Sequence, residues 1–82
     1  MTENPSSKLV DAAKLIFERI REALERSSPD QFVSIEPISG EHFLGTTLSE
    51  AIQAARGRYP NRLVHTFRVG HGAAVHFGQV GR

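Results

Sequence analysis

Between residues 32 and 77 the hydrophobic period of the sequence changes twice, from two residues to nearly four and back to two. Apolar side chains that alternate with polar ones are typical of strands, and spacings of three and four are typical of a helix. The pattern therefore predicts two strand pairs separated by one helix. A chain of 82 residues with this order of elements is expected to be a single α+β domain.

An amphipathic segment precedes this unit at residues 8–26. Its apolar side chains form one stripe of a helix, and charged side chains occupy the opposite side. Pro29 cannot continue a helix, so the helix is predicted to end before it. The stripe consists of Leu9, Ala13, Ile16, Phe17, Ile20 and Leu24.

The predicted fold is an N-terminal helix followed by a ββαββ unit. Its sheet is expected to have four strands, largely antiparallel, with both helices on one face. Residues 1–82 are assigned to one domain. Residues 1–6 and 79–82 are expected to be flexible ends, and Ser6 or Ser7 is expected to cap the first helix.

The first strand pair is predicted at residues 31–37 and 41–45, and the second at residues 63–69 and 73–78. Gly40 lies in the first turn, where it can supply a positive φ.

The middle helix has clear signals at both ends. Thr47 and Glu50 match a capping box, in which each side chain is expected to bond the backbone amide of the other residue. The helix is predicted to end near Arg56, with Gly57 in the left-handed position just beyond it.

The second strand pair has two possible registers. A three-residue turn at residues 70–72 pairs Phe67 with Val75 and places His65 and His76 on opposite faces. A two-residue turn places His65 across from His76. The first register unites the apolar side chains, so burial favours it.

The histidines raise the possibility of a metal site, but their spacing matches no metal-binding motif, and the chain has no cysteine. We therefore expect neither a metal nor another cofactor. The histidines are His42, His65, His71 and His76.

Catalytic signals are weak as well. No serine lies in a nucleophile elbow. Glu36 and Glu41 flank the first turn, where solvated, ionised carboxylates are expected. The sequence predicts that the protein is not an enzyme.

The two halves of the chain carry opposite charge. Residues 1–50 hold five basic and nine acidic residues, a balance of −4, whereas residues 51–82 hold five arginines and no acidic residue, a balance of +5. Arginine binds phosphate and tyrosine stacks on bases, so the basic segment predicts nucleic-acid binding as an alternative function. Complementation of the two halves within the fold or across a dimer is the competing interpretation. The residues concerned are Arg56, Arg58, Tyr59, Arg62 and Arg68.

The favoured function is a small protein-interaction module, expected to be a homodimer, because a chain this short has a thin core. The first helix is longer than the strands it covers, so its apolar stripe is the predicted contact with a partner. The residues of that contact are Leu9, Val10, Ala13, Ile16, Phe17 and Ile20.

Residues 32–70 contain a strand, a turn with Gly40, a strand ending in Gly45, a capped helix with Ala and Arg near its end, and a closing strand that ends in Arg68 and Val69. This combination resembles a group of short bacterial proteins of unknown function. The resemblance covers about half of the chain, and it implies a strand–strand–helix–strand unit without catalytic residues.

The absence of cysteine points to a cytoplasmic location. No stretch of the sequence has the length of about 20 apolar residues that a membrane span needs, so no membrane association is expected.

Overall fold

A computed structural model of the protein describes residues 5–70 and 75–80, with side chains for residues 8–70. The elements are α1 (Pro5–Ser27), β1 (Phe32–Ile35), β2 (His42–Gly45), α2 (Leu48–Arg58), β3 (Val64–Arg68) and β4 (Val75–Val80). The two helices pack against an antiparallel sheet in which β1 lies between β2 and β3, which confirms the α+β class. The backbone of β4 lies beside β3.

The first helix is longer than the sequence predicted, because it begins at Pro5. Proline is tolerated in the first turn of a helix, where its missing N–H has no partner to lose. The predicted cap at Ser6 or Ser7 is therefore wrong, since both residues lie inside α1. Four of the residues expected to be flexible lie in regular structure, because residues 5–6 belong to α1 and residues 79–80 belong to β4.

One face of the sheet packs against α1. Val33 of β1 and Phe67 of β3 are paired on this face and fully buried. The ring of Phe17 stacks on Phe67, with centroids 4.7 Å apart and an angle of 9° between the ring planes. The core on this side consists of Ala13, Phe17, Leu24, Val33, Ile35, Phe67 and Val69.

The opposite face packs against α2. Ser34 and Thr66 are paired there, fully buried, and their hydroxyl oxygens are 2.8 Å apart. Gly45 of β2 belongs to the same face, and a Cβ atom added to it would lie 2.4 Å from the backbone nitrogen of Ala51 in α2. The helix backbone therefore lies directly on β2.

The prediction that both helices cover one face is wrong: they lie on opposite faces and enclose the sheet. Only Thr46 and Thr47 separate β2 from α2. Because this connection is so short, α2 packs on the face of the sheet to which Gly45 belongs. The apolar face of Val33 and Phe67 is left to α1.

The start of α2 follows the predicted pattern only in part. The hydroxyl of Thr47 accepts a hydrogen bond from the amide of Glu50 at 3.1 Å, as expected. The Glu50 carboxylate also accepts hydrogen bonds from the hydroxyl and amide of Thr46, at 2.7 and 2.9 Å, and these bonds, together with the Thr47 amide, hold the pKa of Glu50 below its usual value. Gly57 lies inside the last turn, so its predicted left-handed position is wrong, and α2 ends at Arg58.

The pairing of β3 with β4 differs from both predicted registers. Arg68 lies opposite Val75 and Phe67 lies opposite His76, with an irregularity between His65 and Phe67. Relative to the favoured prediction, which paired Phe67 with Val75, the register is shifted by one residue at Phe67 and by two residues at His65, which lies opposite Gln79. The described backbone includes His76, but its side chain lies outside the described residues.

We predict opposite effects for two Gly→Ala substitutions. Gly45→Ala should destabilise the fold by about 1–3 kcal/mol, because the new methyl group would overlap the backbone of Ala51. Gly57→Ala should stabilise it by about 0.5–1 kcal/mol, because Gly57 is helical and has open space around it. Urea unfolding measures both changes, and a destabilising Gly57→Ala would contradict the packing described.

Candidate functional site

Three of the five residues predicted to bind anions meet at the end of the sheet that carries the β1–β2 turn. The guanidinium carbons of Arg58 and Arg62 lie 5.5 and 5.4 Å from the centroid of the Tyr59 ring. Tyr59 also meets Phe43 edge-on, with centroids 6.2 Å apart. Two acidic residues complete this group, which we name the turn cluster. It consists of Glu36, Glu41, Arg58, Tyr59 and Arg62.

Glu36 is the buried member of the turn cluster, with 0% of its surface exposed. Its carboxylate accepts hydrogen bonds from the backbone N–H groups of Ile38 at 3.0 Å and Ser39 at 2.7 Å. The guanidinium of Arg62 donates to the same carboxylate at 3.0 Å. The carbonyl of Glu36 accepts the amide of Gly40, whose φ of 82° closes the turn. Both the side chain and the backbone of Glu36 therefore hold the turn in place.

The environment of Glu36 also sets its ionisation. Burial alone would raise the pKa of this carboxyl, but hydrogen bonds from Ser39 and Ile38 and the charge of Arg62 together hold the pKa below its ordinary value. The group therefore stays ionised at neutral pH and accepts hydrogen bonds instead of donating a proton. Its chemistry is that of an anchor for the turn, and the expectation that Glu36 is a solvated charge is wrong.

Glu41 is the exposed acid of the turn cluster, with 48% of its side chain accessible. Its carboxylate accepts a hydrogen bond from the Tyr59 hydroxyl and lies 3.5 Å from Nε of Arg58. Two carboxylates thus face two guanidinium groups, and their formal charges cancel. The contacts follow the pattern expected if the acidic and basic halves of the chain complement each other within the fold.

The other two predicted anion contacts lie apart from the turn cluster. Arg56 is exposed on the last turn of α2. Arg68 is at the opposite end of β3, where its guanidinium carbon lies 5.6 Å from the centroid of the Phe32 ring. Phe32 is four residues from Glu36 along the sheet, a distance of about 13 Å. The structure therefore does not unite the five residues in one basic surface.

The predicted partner contact on α1 is likewise divided. Ala13 and Phe17 are buried in the protein's own core, and Ile16 and Ile20 are half-buried against that core. Leu9 and Val10, which precede Ala13, are half-buried and do not belong to the core.

The fold separates His42 and His65, the two histidines whose side chains are described. His65 is fully buried on the face covered by α1, whereas His42 is exposed on β2. Both are paired with Ile35, one on each side, so their Cα atoms are about 10 Å apart. Within the described part of the chain, no group of three or more His, Cys, Asp or Glu residues could hold a metal ion. His71 lies outside the described residues.

No protein-family model matches the chain, and no curated protein or solved structure is significantly similar to it. The resemblance of residues 32–70 to short bacterial proteins therefore stays a prediction. Among the described residues, neither helix combines the length and the apolar character that crossing a bilayer requires.

The sequence contains one signal for the structural role of Glu36 that no recognised motif includes. Glu36 ends a strand and is followed by Pro37, so the next backbone amides available are those of Ile38 and Ser39. A carboxylate at such a position can accept both amides and close a turn, much as an Asx residue does in shorter turns. The pattern predicts a structural acid, although it does not reveal the contact with Arg62.

We predict that Glu36→Gln lowers the free energy of unfolding at pH 7 by about 1–3 kcal/mol. The amide that replaces the carboxylate keeps only one acceptor oxygen, so at least one of the partly buried donors to Glu36 loses its partner. The matched change Glu41→Gln, at the exposed acid, should cost less than about 0.5 kcal/mol. Urea unfolding of both variants gives the comparison.

The difference between the wild type and Glu36→Gln should depend on pH in one direction. Because the folded pKa of Glu36 is lowered, its contribution is complete above the ordinary value of 4.5 and disappears as the pH falls through the folded pKa. Unfolding of the two proteins should therefore converge in acid. A difference that stays constant between pH 7 and pH 2.5 would show that the charge of Glu36 contributes nothing.

Proposed function

We propose that this protein is a small, non-catalytic interaction module that associates with a second copy of itself in the cytoplasm. The observation that supports it best is the length of α1 relative to the core. The helix has 23 residues and spans about 34 Å, whereas four-residue strands such as β1 span about 13 Å. The core begins at Ala13. The apolar stripe of α1 continues about 5 Å past Ala13 towards the N-terminus, through Leu9 and Val10.

The shape of this extension favours a second copy as the partner. Leu9 and Val10 are half-buried, whereas Lys8, Asp11 and Lys14 are exposed on the same turns of α1. If two copies of α1 pack antiparallel about a two-fold axis, Leu9 and Val10 of one copy meet the same two side chains of the other. A contact of this kind is isologous and covers four half-buried apolar side chains.

Nucleic-acid binding has less support as the alternative. Arg58 and Arg62 already contact the carboxylates of Glu41 and Glu36, so binding phosphate would require those contacts to be replaced. Arg56 and Arg68 lie outside the turn cluster, and single cations give only weak, salt-dependent binding.

The finer architecture belongs to the same proposal. We propose that β4 completes a ββαββ unit with a four-stranded sheet. Support comes from the antiparallel register between the backbones of β3 and β4. A second support is the complete burial of four consecutive residues of β3, because a strand buried on both faces is typical of the interior of a sheet. These residues are Val64, His65, Thr66 and Phe67.

We predict that Leu9→Ser weakens self-association about tenfold, because it removes one apolar side chain from the contact. Leu15→Ser is the matched control, since Leu15 is 63% exposed and belongs to the same helix. The control should associate like the wild type. Sedimentation velocity over a concentration series measures both, and a monomeric wild type at the highest concentration would refute the proposal.

For the alternative function we predict no change in the fluorescence anisotropy of labelled DNA or RNA at low salt, up to about 10 µM protein. The variant Glu41→Gln serves as the sensitive comparison, because it frees Arg58 from its carboxylate and adds one unit of net positive charge. Salt-dependent binding by the wild type, strengthened in Glu41→Gln, would favour the nucleic-acid function.

A further inference from the structure

The two edges of the sheet differ in length and in protection. At one edge, β2 has four residues and is followed at once by the start of α2. The N–H of Thr46, which continues this edge, donates to the Glu50 carboxylate at 2.9 Å. At the other edge, β4 has six residues. Edge strands present unpaired backbone groups that can bind another strand, and short, capped edges are a common protection against this.

The register of the sheet identifies the free backbone groups of β4. In an antiparallel pair, the backbone groups of successive residues point alternately towards the two neighbouring strands. Val69 donates its N–H to Gln31, next to β1, so Arg68 directs its backbone groups towards β4. Arg68 lies opposite Val75, which therefore bonds inward. The N–H and C=O of His76 consequently point away from β3, to the open edge.

The sequence of this segment lacks the residues that normally protect an edge. No Asp, Glu, Lys, Arg or Pro occurs between Arg68 and Arg82. Charged side chains and proline are the usual means of preventing edge-to-edge pairing. If two identical strands pair about a two-fold axis, each segment meets itself, and like charges would then oppose each other. The uncharged segment has no such repulsion.

We propose that the β4 edge pairs antiparallel with the β4 edge of a second copy, so that the sheet continues across a two-fold axis. This inference rests on the proposed self-association and on the four-stranded sheet. It adds the backbone contact that orients the two copies. The hydrogen bonds would involve the outward groups of His76 and leave the bonds between β3 and β4 intact.

Two histidine-to-proline variants test the edge directly. His76→Pro removes an outward N–H from β4, and we expect it to weaken association at least about tenfold. His42→Pro is the matched control on β2. Glu36 donates its amide to Glu41, so the neighbouring His42 directs its N–H to the open side of β2. His42→Pro should associate like the wild type in sedimentation velocity, and equal association by His76→Pro would overturn the inference.

Amide hydrogen exchange of the wild type decides the question without any variant. The amide of His76 should exchange at least about tenfold more slowly at associating concentrations than at monomeric ones. The amide of Val75, which faces β3, should be protected at both. If the copies associate and the His76 amide does not slow, the edge contact is refuted while self-association stands. If the chain remains monomeric at every concentration, both self-association and the edge contact are refuted. If the His76 amide already exchanges slowly in the monomer, the edge contact is overturned as well.

Discussion

Burial of both faces of the sheet is the constraint on which the rest of the structure depends. Because α1 and α2 enclose the sheet, residues 33–35 of β1 and 64–67 of β3 are buried on both faces, and the polar side chains there need partners inside the protein. Ser34 and Thr66 satisfy this need by pairing with each other at 2.8 Å. A buried hydroxyl without such a partner would cost about 1–3 kcal/mol. The side of the sheet that looks polar in the sequence is thus a second core made of small residues.

The same constraint explains the turn cluster. Glu36 continues the face of Ser34 and is buried with it, so its carboxylate has to be satisfied where β1 ends. Two backbone amides of the turn and the guanidinium of Arg62 provide the donors. The basic segment looks like a free cationic surface in the sequence. In the structure, Tyr59, Arg58 and Arg62 lie at the end of the sheet, and the two arginines neutralise the charges of two acidic residues. Two arginines of the segment are therefore already in contact with carboxylates of the same chain.

The two helices and the strands β1, β2 and β3 could be predicted from the sequence, because their signals are local. The stripe of α1 and the Thr47 cap of α2 depend only on residues a few positions apart. Features that depend on distant contacts could not be predicted in this way. The alternation of Val33 with Ser34 predicts one buried and one solvent-exposed face of the sheet. Only the position of α2 shows that Ser34 is buried. Gly57 looked like a helix terminator, yet α2 continues through it to Arg58, and Tyr59 contacts Phe43 and Glu41.

The contact between Glu36 and Arg62 joins positions 26 residues apart and encloses both β2 and α2. Closing a flexible loop of this length loses about 3 kcal/mol of chain entropy. An ion pair whose arginine remains partly exposed contributes about 1 kcal/mol or less. The ion pair is therefore too weak to close the loop, and the ladder between β1 and β3, together with the helices on its two faces, must supply the difference. Arg62 reaches Glu36 because the sheet has formed, so this contact refines the geometry of the turn and does not determine the topology of the chain.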